Sequence, residues 1–259
     1  MYNRNDKGSE EKPVLRYQFL DGGRLNLKQT DISIALFTLA GIATAPGFMD
    51  PLREELSQQL ESRGYRVETD SLYPFGDWSQ RVTRQLAAIF RDLTDIQERI
   101  WASIGARAAK ERIFEAAEAG RTVLLIGHSG GGVSAVQVAG RLQKAGYSPP
   151  LVVQIGSPKC PIPPELRERV LFLSAVGTGG RRDPVTRLGR WGGWVRRLGL
   201  LQIWRRRAYP PGEITDIPLI GSHPDYFRTH SPYVDEAGRT NMEQTLRPLL
   251  AWLERKLPQ

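Results

Sequence analysis

A short apolar run, Thr122-Val-Leu-Leu-Ile126, leads straight into Gly127-His128-Ser129-Gly130-Gly131, and a helical pattern follows from Val133 to Lys144. This succession constrains the chain more than any other stretch. A strand that turns sharply into a helix needs neighbours without Cβ atoms at the turn. A serine held between such glycines sits in strained backbone and presents its hydroxyl above the carboxyl edge of a sheet. The following helix aims its free N–H groups and partial positive charge at the same place, where an oxyanion can be stabilised. Ser129 is therefore read as a nucleophile, against the plainer reading of a glycine-rich connection.

The rest of the chain supplies strands and helices in alternation. Ile32 to Ala40 is nearly continuous in apolar residues, as in a strand covered on both faces. A glycine loop follows, and Asp50-Pro51 opens a helix that Gly64 closes after Arg63. Tyr65–Leu72 reads as a strand, Trp78 to Ala119 as two helices broken near Gly105, and Leu151–Ile155, Val170–Val176 and Ile214–Leu219 as further strands. Asn241–Leu257 is an amphipathic helix with Leu246, Leu249, Leu250 and Leu253 on one face. Such alternation predicts an α/β fold: a mostly parallel central sheet with helices on both faces. Val14–Leu20 and Arg24–Lys28, joined by Asp21-Gly22-Gly23, predict an antiparallel hairpin at its start. Residues 1–13 read as a disordered leader and residues 14–259 as one domain.

A serine hydroxyl needs a general base, and the chain has three histidines. His128 lies inside the turn and is assigned to packing or hydrogen bonding. His223 follows the last strand, where a loop can reach the serine; His230, further on, is the alternative. The imidazole in turn needs a carboxylate to fix its tautomer. Asp183, in the loop after Val170–Val176, is the candidate, ahead of Glu165, Glu168, Glu213 and Asp216. The expected oxyanion donors are the N–H of Gly130 and that of Ile42, in the loop after the third strand.

Gly127-His128-Ser129 with Gly131, Gly156-Ser157-Pro158-Lys159, Asp183-Pro184-Val185 and His223 together resemble the α/β-hydrolase superfamily, in particular the lipase class 3 (fungal-type lipase-like) proteins. The resemblance implies an α/β-hydrolase fold in which Ser129, Asp183 and His223 form the triad. It implies hydrolysis of a carboxylic ester, in a small molecule or a lipid, with neither metal nor cofactor. A thioesterase, amidase or acyltransferase would use the same triad, and a non-enzymatic scaffold that binds a membrane or partner is the rival from another class.

Charge adds one local feature. The net charge of +8 equals the excess between Arg181 and Arg207, where nine arginines face one acid, Asp183; the remainder is neutral. Within a basic insertion at about 185–209, Trp191, Trp194 and Trp204 alternate with arginines and with Gly189, Gly192, Gly193 and Gly199. The glycines disfavour one long helix and favour a mobile, lid-like element. Arginine with tryptophan suits substrate or peripheral contact with an anionic membrane through 181–207; nucleic acid is not expected. The polar start lacks a signal-peptide core, and the single cysteine, Cys160, excludes an internal disulfide, so a cytoplasmic protein is expected.

Overall fold

The structure, a computed structural model, describes residues 32–41, 44–74, 104–197 and 201–258. The expected hairpin at 14–28, the leader, Ile42 and most of the stretch from Trp78 lie outside these residues.

Six strands form one parallel sheet: β1 (Ser33–Leu39), β2 (Arg66–Leu72), β3 (Thr122–His128), β4 (Leu151–Ile155), β5 (Val170–Val176) and β8 (Glu213–Pro218). Their spatial order is β2-β1-β3-β4-β5-β8. The chain builds outward from β1 to β2, then returns to the other side of β1 with β3. That reversal leaves a crevice beyond the carboxyl ends of β1 and β3, where open α/β sheets bind ligands. Ile34 of β1 lies opposite both Val67 of β2 and Thr122 of β3.

The two-residue period of each strand divides the core. Ile34, Leu36, Leu124, Ile126 and Val153 face helix α1 (Asp50–Glu61) and the last helix, α4 (Asn241–Lys256), through Leu52, Leu56, Leu249 and Trp252. Ala35, Phe37, Val123, Leu125 and Val152 face α2 (Ile104–Glu118) and α3 (Gly130–Lys144), through Ile113, Ala135 and Val138. Helices thus cover both faces, as the alternating pattern predicts.

α2 begins at Ile104, so the expected break near Gly105 falls at its first turn, and the residues before it lie outside those described. The basic insertion folds as an antiparallel hairpin, β6 (Gly193–Arg197) and β7 (Leu201–Arg205), with Trp194 opposite Trp204 and their rings edge-to-face at 5.6 Å. Aromatic pairs directly across two strands stabilise such a ribbon. Trp191 is not available to a membrane surface. It is buried, packed edge-to-face on Phe172 of β5, whereas Trp194 and Trp204 are exposed. Among the described residues no helix is long and apolar enough to cross a membrane.

Candidate active site

β3 delivers the chain to Ser129 at the crevice between β1 and β3. Ser129 has φ 56° and ψ −130°, and it is the one non-glycine residue with positive φ among those described. Backbone of this kind costs roughly 1–3 kcal/mol and persists only where the surroundings over-determine it. They do so here. A Cβ on Gly127 would lie 2.3 Å from the Gly131 backbone, and one on Gly131 would lie 1.9 Å from the Leu39 carbonyl oxygen. The turn is therefore pressed against the end of β1, and only glycine fits at either position. Ser129 is the N-cap of α3, yet its hydroxyl makes no cap hydrogen bond. It is not spent on the helix amides.

The loop after β5 carries Asp183, which is 6% exposed. Its Oδ1 accepts from the Val185 amide at 2.9 Å, and its Oδ2 meets His223 Nδ1 at 2.7 Å. His223 opens a short 3-10 turn (His223–Asp225) beyond β8, held by reciprocal hydrogen bonds between Ser222 and Asp225. Burial by itself would raise the Asp183 carboxyl. The hydrogen bond and charge of His223, the Tyr226 hydroxyl and the Val185 amide outweigh it and hold the carboxyl below its usual range.

His128 joins the turn to this pair. Its ring stacks on that of His223 with centroids 4.8 Å apart and planes 24° apart, and its Nε2–H donates to the His223 carbonyl oxygen at 3.3 Å. Phe48, Tyr226 and Phe227 enclose its other sides. Burial first, then the proximity of His223, pushes the His128 imidazole down to about 3, so it is neutral at physiological pH. Packing and hydrogen bonding, the role assigned to it from sequence, describe what it does.

The His223 imidazole thus stands beside the residue that precedes Ser129, on the side of the sheet where β3 and β8 end. His230 packs on Tyr233 instead, at 5.9 Å between ring centroids. Among the other acids considered, Asp216 pairs with Arg182 and Glu213 with Arg255. The Gly130 amide opens α3 next to Ser129; it lies 3.2 Å from where a Cβ on Gly41, the last described residue before Ile42, would stand. Trp194 and Trp204 lie out on the hairpin.

Sequence reasoning missed Tyr226. Its hydroxyl donates to Asp183 Oδ2 at 2.8 Å and accepts from the Ala175 amide at 2.9 Å. Gly156, with φ +56°, makes room for it: a Cβ there would lie 2.8 Å from the Tyr226 ring and 3.0 Å from Asp183 Oδ2. Nothing in the sequence pattern indicates where a tyrosine hydroxyl three residues past His223 will point.

A strained serine turn after β3, a carboxylate after β5 and an imidazole after β8 follow one another in the chain order expected of one architecture. The fold is that of an α/β hydrolase. No family model and no curated protein matches the chain, so the likeness to class 3 lipases rests on the short motifs alone. Among solved structures, the RedJ thioesterase of the prodiginine pathway in Streptomyces coelicolor is similar over 89% of this chain and 93% of its own, at 14% identity and a TM-score of 0.45. The NocB thioesterase domain of the nocardicin cluster covers 84% and 94% at 17% identity and 0.42. An acetyl xylan esterase covers 87% and 98% at 13% identity and 0.33. Among the described residues, no group of three or more His, Cys, Asp or Glu side chains is placed to hold a metal ion.

Proposed function

We propose that this chain is a serine hydrolase that cleaves a carboxylic ester by acyl transfer to water. Ser129 is the nucleophile, His223 the general base and then acid, and Asp183 the carboxylate that orients the imidazole. One observation carries the reading. Strain is retained on a serine whose hydroxyl caps nothing, next to a histidine ring stacked on the His223–Asp183 pair.

With Nδ1–H donated to Asp183, the lone pair of His223 is on Nε2. Nε2 takes the Ser129 proton as Oγ bonds to the ester carbonyl carbon, and the carbonyl π electrons move onto oxygen. That oxyanion is held by the Gly130 amide and by an amide of the loop after β1, for which Ile42 is the proposed residue. Collapse breaks the bond to the alcohol oxygen, which leaves with the proton from Nε2. Water repeats the sequence on the acyl-enzyme, releasing a carboxylic acid and free Ser129. His128 stays uncharged throughout, so the imidazolium that forms on His223 meets no like charge on the ring stacked against it.

A fluorophosphonate probe should label Ser129 and fail on Ser129→Ala, and His223→Ala should slow labelling by roughly 100-fold or more. Matched oxygen-ester, thioester and amide substrates then define the bond cleaved, with the oxygen ester expected to turn over fastest. A folded protein that no such probe labels would refute the enzymatic reading in favour of a binding scaffold.

A further inference from the structure

A concavity whose lining does not include Ser129 lies where the loop after Asp183 meets the far end of β7. It encloses about 750 Å³, within the range of small-molecule pockets. Lys159, Arg187, Arg190, Arg206 and Arg207 line it together with Trp204, and no carboxylate does. Nearby Arg182 is paired with Asp216, but none of these five cations is in an ion pair among the described residues. The walls are built. Arg190 lies over the Trp204 ring at 4.9 Å and Lys159 over the Trp191 ring at 5.2 Å. Backbone hydrogen bonds from Lys159 to Leu188 and from Arg190 to Lys159 fix the loop against the end of β4.

Like charges gathered in one concavity raise each other's free energy. The Lys159 ammonium shows this: burial, followed by Arg182, Arg207 and Arg187, holds it below its ordinary value. A multiply charged anion is the occupant that relieves such a cluster. Guanidinium forks match phosphate oxygens in pairs. Trp191, which also lines the concavity, is buried between the Phe172 ring and the Lys159 side chain, so that this wall is held in place before any ligand arrives.

We infer that this concavity binds a small organic phosphate carrying at least two negative charges, with its uncharged part laid against Trp204. The cations converge on a hollow instead of spreading over a plane, which favours a soluble phosphate ester over a membrane surface. The site adjoins the Asp183 loop, since Arg187 lies four residues beyond that carboxylate, but binding there does not depend on turnover at Ser129.

The test is titration of the full chain, at constant ionic strength, with pyrophosphate and with adenosine diphosphate, read by tryptophan fluorescence and calorimetry. Saturable one-to-one binding of both is expected. It should weaken at least tenfold in R190E/R207E and in the milder R190A/R207A, with far-UV circular dichroism and melting confirming the fold, and it should stay unchanged in K144E on the opposite end of α3. Trp204→Ala should weaken adenosine diphosphate several-fold and leave pyrophosphate alone. Absence of saturable binding, or binding indifferent to both arginine variants, would overturn the site. Capture by phosphatidylglycerol vesicles with no binding of either soluble phosphate would overturn it in favour of a lipid surface.

Discussion

Tyr226 Oη and His223 Nδ1 converge on a single oxygen, Asp183 Oδ2, at 2.8 and 2.7 Å. The carboxylate is therefore fixed by a phenol from behind while it fixes an imidazole in front. Tyr226 touches no reacting atom in this scheme and is a positioning residue.

Tyr226→Phe keeps the ring and removes the donor. One hydrogen bond to a charged group is worth about 1.5–3 kcal/mol, so kcat should fall by roughly ten- to a hundredfold with KM little changed. The acidic limb of the pH–kcat profile should shift as well, which lost packing alone would not produce. An unaltered kcat at every pH would remove Tyr226 from the site.

Gly156→Ala drives a methyl group into that same cluster. Its positive φ and the 2.8 Å approach to the Tyr226 ring act together, and overpacking of this kind costs about 1–3 kcal/mol. Activity should drop more than the melting temperature suggests, because what yields first is the Asp183–Tyr226 contact. Urea unfolding alongside kinetics measures both.

Ser129 offers a test of strain that is separate from chemistry. Ser129→Gly should abolish probe labelling yet stabilise the fold by about 1 kcal/mol, since glycine carries no penalty at φ 56°. That corresponds to a rise in melting temperature of roughly 2–4 °C. Ser129→Ala should abolish labelling without the rise. Equal melting temperatures for the two variants would mean the backbone at 129 is not strained in solution.

His128 predicts how stability depends on pH. Its folded value, about 3, lies below the ordinary 6.5, so in acid the unfolded chain binds a proton that the folded chain does not. Its contribution is complete above pH 6.5 and is lost as pH falls from 6.5 toward 3, at about 1.4 kcal/mol per unit over most of that range. Asp183 acts in the same direction, but only below the ordinary carboxylate range. Urea midpoints between pH 7.5 and 4.5 should fall steeply for the native protein and less steeply for His128→Phe. Parallel slopes would contradict this.

How legible was all this in the sequence? β4 and β5 have the bounds that their apolar runs suggest, because strands buried on both faces leave an unbroken apolar signature. The start of α3 was harder to place. Three glycines, 130 to 132, read as loop by propensity, yet they are the helix's first turn. Close approach of Leu39 to Gly131 and of Ser157 to Gly132 demands them, and tertiary contact outweighs intrinsic preference. Asp183 and His223, which the structure pairs, could be nominated because each follows a recognisable strand. Tyr226 could not, since its role depends on the direction of one hydroxyl. The hairpin was hidden for another reason: β7 is exposed along its length, so burial never imposes on it the alternation that marks a half-covered strand.

The hairpin is fastened at its root. Tyr209 donates its amide to the Trp191 carbonyl and its hydroxyl to the Trp194 carbonyl, and its ring fills the space beside Gly193. Trp191 in turn is seated on Phe172. With the base clasped in this way, β6 and β7 pair with each other and not with the six-stranded sheet. Exchanging or lengthening the sequence between Arg196 and Gln202 should therefore leave Ser129 and its neighbours where they are, which makes this the place to splice a reporter or an affinity tag into the chain.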